Sequence, residues 1–391
     1  MREYTYIIAG GGAAAATAAE AIRKRDPSGS LAIFTREWAP PYQRPPLSKE
    51  FLQNKAPIAD ALMFPATWYL DQNVDLHVGV EVLQIDPHHR LLKTGSGDLT
   101  YQHLLLATGA TPRMLEIPGA GLDGVYTLRT YLDAQRLRGV RASAQRVVLI
   151  GSGFIGMEVA ASLRSGGGEV TVVTIDEALY APFGADVSGY AHSLFEQHGV
   201  PTLFKTSVAS IDGGERVTGV TLADGSRIEA NAVVIGIGVR PETGLAEHAG
   251  LRIDDGIVVD DRLRTSAAEI YAAGDVARFP SLSGALTRVE HFDNAYASGA
   301  QAGANMAGAD ERYRYVPFFW SDVFELSFEF VGAPAPQATI VAGALEGGSF
   351  VVEYSDGDQL RGALLAQRPA AERDAYRDRL MQAAVTSLGA S

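Results

Sequence analysis

The pattern that most restricts this chain is written twice. Tyr4 to Ala9 (YTYIIA) reads as a buried strand that runs into Gly10-Gly11-Gly12-Ala13-Ala14-Ala15 and then an alanine-rich helical stretch to Arg25. The same grammar returns at Arg146 to Ile150 (RVVLI), followed by Gly151-Ser152-Gly153-Phe154-Ile155-Gly156 and a helix through Leu163. A glycine turn between strand and helix lets backbone N–H groups approach a pyrophosphate, and the helix N-terminus adds partial positive charge. A single copy is equally well read as a tight turn that needs small residues. Two copies in the same context predict an α/β chain with two Rossmann-like domains in series.

The repeat extends further. Each copy later carries a hairpin-like turn, Gly95 to Asp98 and Asp224-Gly225, before an apolar strand ending in glycine: LLLATG, Leu104 to Gly109, and AVVIGIG, Ala232 to Gly238. A third such strand, Ile270 to Gly274, precedes Asp275 and fits a last parallel strand returning to the first sheet, so the second domain reads as inserted into the first. Beyond Trp320, strand-like runs at Ala338 to Leu345 and Ser349 to Gln367 and an amphipathic stretch from Ala370 to Leu380 predict a small α+β domain. The expected division is 1–113 with 247–322, then 114–246, then 323–391.

Composition removes whole classes of function. The 33 basic residues are scattered and outnumbered by 46 acidic ones, a net charge of −13, which leaves no footprint for nucleic acid or anionic lipid. There is no cysteine, so the chain has no disulfide, thiolate metal site or thiol nucleophile, and redox chemistry requires a bound cofactor. The apolar run Tyr4 to Ala19 imitates a secretion signal, but Glu3 offsets Arg2 and three glycines interrupt its core. No other apolar stretch approaches the ~20 residues needed to cross a bilayer. The expected location is the cytoplasm, with neither a membrane nor a metal site.

In a dinucleotide fold an acid about 20 residues past the turn accepts hydrogen bonds from a ribose. Glu37 stands 22 residues after Ala15. In the second copy the usual position after Val172-Val173 holds Thr174, and Asp176 comes 20 residues after Gly156 with Glu177 beside it; the alternative reading of Asp176 is a solvated loop acid. Thr174 to Leu179 contains no arginine to meet a 2′-phosphate, so NADH is expected in preference to NADPH. Glu158, in the otherwise apolar MEVAASL stretch, needs a partner if it is buried, because an unpaired carboxylate there is costly.

With Pro41-Tyr42-Gln43-Arg44-Pro45-Pro46-Leu47-Ser48-Lys49, Ala107-Thr108-Gly109, Ala273-Gly274-Asp275, Arg288-Val289-Glu290-His291 and Phe319-Trp320-Ser321-Asp322, residues 1 to 332 resemble the FAD-dependent pyridine nucleotide oxidoreductases of the ferredoxin reductase type. That group includes ferredoxin, putidaredoxin and rubredoxin reductases, monodehydroascorbate reductase and apoptosis-inducing factor. The resemblance implies an FAD pyrophosphate at Gly10, Gly12 and Ala15, the adenosine ribose at Glu37, the adenine at the Val82 backbone and the ribityl chain at Asp275. It places Arg44 and Lys49 beside the pyrophosphate and flavin, pairs Lys49 with Glu158, and brings Glu290, His291 and Trp320 toward flavin and nicotinamide. Ala107, Thr108, Gly109, Gly238 and Gly274 belong to the same cofactor-binding set. NADH is implied at Gly151, Gly153, Phe154, Ile155, Gly156, Asp176 and Glu177. A helix from Glu290 to Met306, with Glu290 and His291 in its first turn, would direct its N-terminus at the flavin.

Hydride from NADH would pass to FAD and electrons onward to an external acceptor. A two-iron ferredoxin is the first expectation. Monodehydroascorbate, a quinone or oxygen are alternatives, as is a redox-sensing interaction role like that of apoptosis-inducing factor.

Overall fold

The computed structural model describes residues 2–143 and 145–388; the last three residues of the expected C-terminal unit lie outside it. Strand β1 (Arg2–Ala9) is buried almost without alternation from Tyr6 onward, as a strand covered on both faces must be. Helix α1 (Ala13–Arg25) follows the glycine turn, and β2 (Leu31–Thr35) returns parallel to β1 with Tyr6 opposite Leu31. On its other side β1 pairs in parallel with β3 (Gly97–Leu106), whose first residues form an antiparallel hairpin with Leu91–Thr94.

The second unit repeats this plan. Strand β4 (Arg146–Ile150), helix α2 (Phe154–Arg164) and strand β5 (Glu169–Val173) form its glycine-turn unit. Its sheet is all parallel, with β5 between β4 and the edge strand β6 (Thr202–Leu203), and β4 between β5 and β7 (Ala232–Ile235). The chain then returns to the first sheet. Strand β8 (Ile270–Ala272) pairs in parallel with the end of β3, Ile270 opposite Leu104, so the second sheet interrupts the first in sequence. The expected edge between residues 246 and 247 falls inside a short helix, Gly244–His248.

Helix α3 (Phe292–Met306) starts two residues later than the sequence suggests. His291 is its N-cap, and the buried Asn294 side chain donates to the Val289 carbonyl at 2.8 Å, holding the preceding residues out of the helix. Glu290 and His291 therefore precede the first turn. Helix α3 lies against α1 at backbone contact: a Cβ on Gly299 or Gly303 would collide with the carbonyl oxygens of Ala14 and Ala18. That approach explains why α1 is so rich in alanine.

The last unit is a five-stranded antiparallel sheet on which α4 (Ala370–Leu388) packs. Its first two strands are β9 (Phe318–Val323) and β10 (Leu326–Gly332), with Trp320 opposite Glu329. The expected division after Asp322 thus falls inside β9. The FWSD segment belongs to the C-terminal sheet and reaches back toward the first unit.

Candidate functional site: a cavity joining both glycine turns

One cavity of about 1440 Å³ runs between the units, well beyond the ~300–1,000 Å³ of a site for a single drug-sized ligand. Gly10, Gly12, Glu37, Arg44, Lys49, Val82, Ala107, Thr108 and Gly109 line it from the first unit. Gly153, Phe154, Ile155, Gly156, Asp176 and Gly238 line it from the second. Gly274, Asp275, Glu290, His291 and Trp320 complete the wall. Three expected residues lie outside the lining. Ala15 is fully buried in α1, Gly151 opens the second turn without lining the cavity, and Glu177 points into solvent.

The turns fit phosphate. Gly10 has φ +136°, and a Cβ there would strike the Ala107 carbonyl oxygen, whereas the Cβ position of Gly12 is open. Neither α1, capped by Gly12, nor α2, capped by Gly153, has a side-chain N-cap, so first-turn N–H groups are left for an anion. Gly151 repeats the constraint with φ +109° and its Cβ position against the Gly236 carbonyl. These cradles, acids and guanidinium groups are the donor set that a flavin dinucleotide and a nicotinamide dinucleotide require.

Glu37 accepts from the Tyr42 hydroxyl and forms a 2.7 Å ion pair with Arg44. Arg44 also donates to the Arg129 carbonyl, while the Arg129 guanidinium reaches Asp275 at 2.7 Å. Arg129 lines the cavity, and sequence reasoning missed it. It directly precedes Thr130, which with Asp133 makes a capping box for the helix Tyr131–Ala142, and nothing local in the sequence separates it from a surface cation.

Lys49 and Glu158 meet at 3.3 Å, with side chains only 7% and 6% exposed. Ser48 donates to Glu158 at 2.5 Å and Ser321 at 2.8 Å, while Lys49 makes a shorter bond, 2.9 Å, to Asp322. Burial pushes the Glu158 carboxyl above the usual carboxylate range, and Lys49 and the two hydroxyls oppose that push. The Lys49 ammonium stands 5.2 Å from the centroid of the Trp320 ring.

His291 lines the cavity beside Phe319, and burial pushes its pKa down to about 4, so its ring is neutral at ordinary pH. Among the described residues its Nδ1 has no hydrogen-bond partner. Glu290 is tied to Arg288. In the second unit Asp176 accepts from Ser152, a residue of the glycine turn itself, and from Thr174 at 3.0 Å.

The sequence pattern of the family described as pyridine nucleotide-disulphide oxidoreductase matches residues 4–299. The chain belongs to this family. Within it, the chain is 38% identical over 368 residues to rhodocoxin reductase of Rhodococcus erythropolis, an alignment covering 93% of this chain and 86% of that one. A solved ferredoxin reductase from Rhodopseudomonas palustris superposes with a TM-score of 0.90 at 36% identity, over 94% of this chain and 92% of the other. The putidaredoxin reductase in its covalent complex with putidaredoxin superposes with a TM-score of 0.91 at 30% identity, over 96% and 93%. Membership makes the chain an oxidoreductase that works with FAD and NAD(P)H. The disulphide of the family's description has no counterpart here, because the sequence contains no cysteine. Among the described residues no helix is long and apolar enough to cross a membrane.

Proposed function

We propose that this family member is an NADH-dependent ferredoxin reductase of the cytoplasm, where NADH is supplied. The observation that carries the reading is that one cavity is lined by both glycine turns and by the buried Lys49–Glu158 pair. Bound FAD supplies the two-electron acceptor for hydride and the one-electron donor for the carrier. The protein's own part is positioning and electrostatics. First-turn N–H groups of α1 and Arg44 would hold the flavin dinucleotide's pyrophosphate, Glu37 its ribose and Asp275 its ribityl hydroxyls. The α2 turn and Asp176 would hold NADH in the same cavity. Lys49, fixed by Glu158 and Asp322, presents a positive charge where charge accumulates on reduction. Neutral His291 and the Trp320 ring shape the wall.

With no thiol of its own, the chain delivers electrons to a separate carrier. The solved relative in complex with putidaredoxin, together with the ferredoxin reductases among its relatives, supports a small two-iron carrier. The test is anaerobic stopped-flow spectroscopy. NADH should bleach the flavin band within the turnover time, and oxidised two-iron ferredoxin should restore it in two one-electron steps. A reduced protein that ferredoxin leaves bleached, but that monodehydroascorbate or a quinone reoxidises quickly, overturns the assignment of the acceptor.

A further inference from the structure

A lysine that the cavity does not use stands beside the ribose-binding acid of the second unit. After edge strand β6 the chain turns at Lys205 in a left-handed conformation, φ 51°. The Lys205 N–H donates to the Asp176 carbonyl at 3.0 Å, and the Thr206 N–H to the Thr174 carbonyl at 2.9 Å, so Lys205 is stitched to the segment that carries the acid. Its ammonium forms a 2.8 Å ion pair with Glu177, both side chains being well exposed at 65% and 79%. Asp176 is already oriented by the Ser152 and Thr174 hydroxyls, and unlike Glu177 it lines the cavity.

A carboxylate at this place accepts the 2′-hydroxyl of NADH, whereas a cation near it accommodates the 2′-phosphate of NADPH. Lys205 is the only cation in residues 174–179 and 202–206. We propose that Glu177 is a coenzyme-specificity residue: by holding Lys205 it withdraws the one cation there that could meet a 2′-phosphate, and so completes the discrimination that Asp176 begins. The proposal rests on the reading that the second glycine turn holds the nicotinamide dinucleotide. It assigns two jobs to two adjacent acids. Asp176 accepts the hydroxyl and repels a phosphate. Glu177 silences a neighbour.

An exposed ion pair is weakly held, so Lys205 is free to swing once its partner loses charge. Glu177→Gln removes one negative charge and frees one positive charge within a side chain's reach of the phosphate, which raises the affinity for NADP+ relative to NAD+ about tenfold in dilute buffer. The gain shrinks as salt is added. Asp176→Asn combined with Glu177→Gln gives the largest shift, and Lys205→Met placed on Glu177→Gln removes the gain.

The measurement is calorimetric titration of the oxidised, FAD-loaded protein with NAD+ and NADP+ at low and high ionic strength, with the kcat/KM ratio for the reduced forms as a second readout. A salt-sensitive rise in the NADP+ to NAD+ affinity ratio that depends on Lys205 supports the proposal. An unchanged ratio in Glu177→Gln, or a gain that survives Lys205→Met, overturns it while leaving the site reading intact. If the unaltered FAD-loaded protein binds neither dinucleotide, the site reading falls and the proposal falls with it.

Discussion

The two dinucleotide units start from the same strand, glycine turn and helix, yet they grip differently. In the first, every α1 residue from Ala13 to Ala19 except Thr17 is alanine, because Gly299 and Gly303 bring α3 to its backbone. Its acid, Glu37, is 18% exposed and is clamped by Tyr42 and by Arg44, which reaches across to the Arg129 carbonyl. In the second unit Asp176 is exposed and is held by two hydroxyls from its own turn and strand. Through Arg44 the first acid is tied to the Arg129 carbonyl, 85 residues further along the chain, whereas both partners of Asp176 lie within its own unit. On the proposed function, the more closely clamped first site would keep its FAD while the exposed second site exchanges NADH.

The strongest way to break this contrast is at the glycines. Gly10→Val puts a branched side chain at φ +136° against the Ala107 carbonyl, so we expect colourless or unfolded protein. Gly153 has φ −71°, and a Cβ there comes no nearer than 3.9 Å to the Gly236 carbonyl. Gly153→Ala should keep its flavin and raise the KM for NADH by about threefold to tenfold, since it crowds only the open turn. The visible spectrum and NADH titrations check both, and loss of flavin from Gly153→Ala would refute the contrast.

Between the units sits the Lys49–Glu158 pair. Lys49→Met leaves Glu158 buried with only two hydroxyls and should cost about 3–5 kcal/mol of stability, read as a drop in Tm. Adding Glu158→Gln should recover most of that loss, because the orphaned charge is then gone. If the double variant is no more stable than Lys49→Met alone, the pair is not coupled as described.

The ribose acids offer a finer comparison. Glu37→Ala should lower flavin retention after dialysis. Asp176→Ala should leave flavin content alone and raise the KM for NADH about tenfold, the loss of one charge-assisted hydrogen bond. An NADH KM that does not respond to Asp176→Ala moves ribose recognition elsewhere in the second unit.

What the sequence made legible follows the range of the interactions. Both glycine turns and their helices were readable because strand, turn and helix adjoin in the chain, and β4 occupies the expected residues Arg146–Ile150. The need for a partner at Glu158 was readable from the cost of burying it, but the identity of Lys49 came from the family pattern. Ser48 and Ser321 lie 110 and 163 residues from Glu158, and no local signal marks either hydroxyl as its donor. The start of α3 was misplaced because periodicity does not show that the Asn294 side chain takes up the Val289 carbonyl. Arg129 was missed for the same reason: its value lies in reaching Asp275, 146 residues away.

The smallest expected effect is a flat line. His291 faces the cavity just before α3, and burial holds its pKa down to about 4, against about 6.5 for an unperturbed histidine. Between those values the unfolded chain binds a proton that the folded site refuses, so stability falls as pH drops below 6.5 and this contribution is complete near 4. The slope is at most about 1.4 kcal/mol per pH unit. Above pH 6 the ring is neutral in the folded protein, and the rate of flavin reduction by NADH should carry no step from this residue between pH 6 and 9. His291→Gln should then scale the whole profile by one factor without changing its shape. An inflection near pH 6.5 in the parent protein that vanishes in His291→Gln would show that the imidazole exchanges a proton during hydride transfer, and the resident side of the cavity would then supply acid–base chemistry as well as a wall.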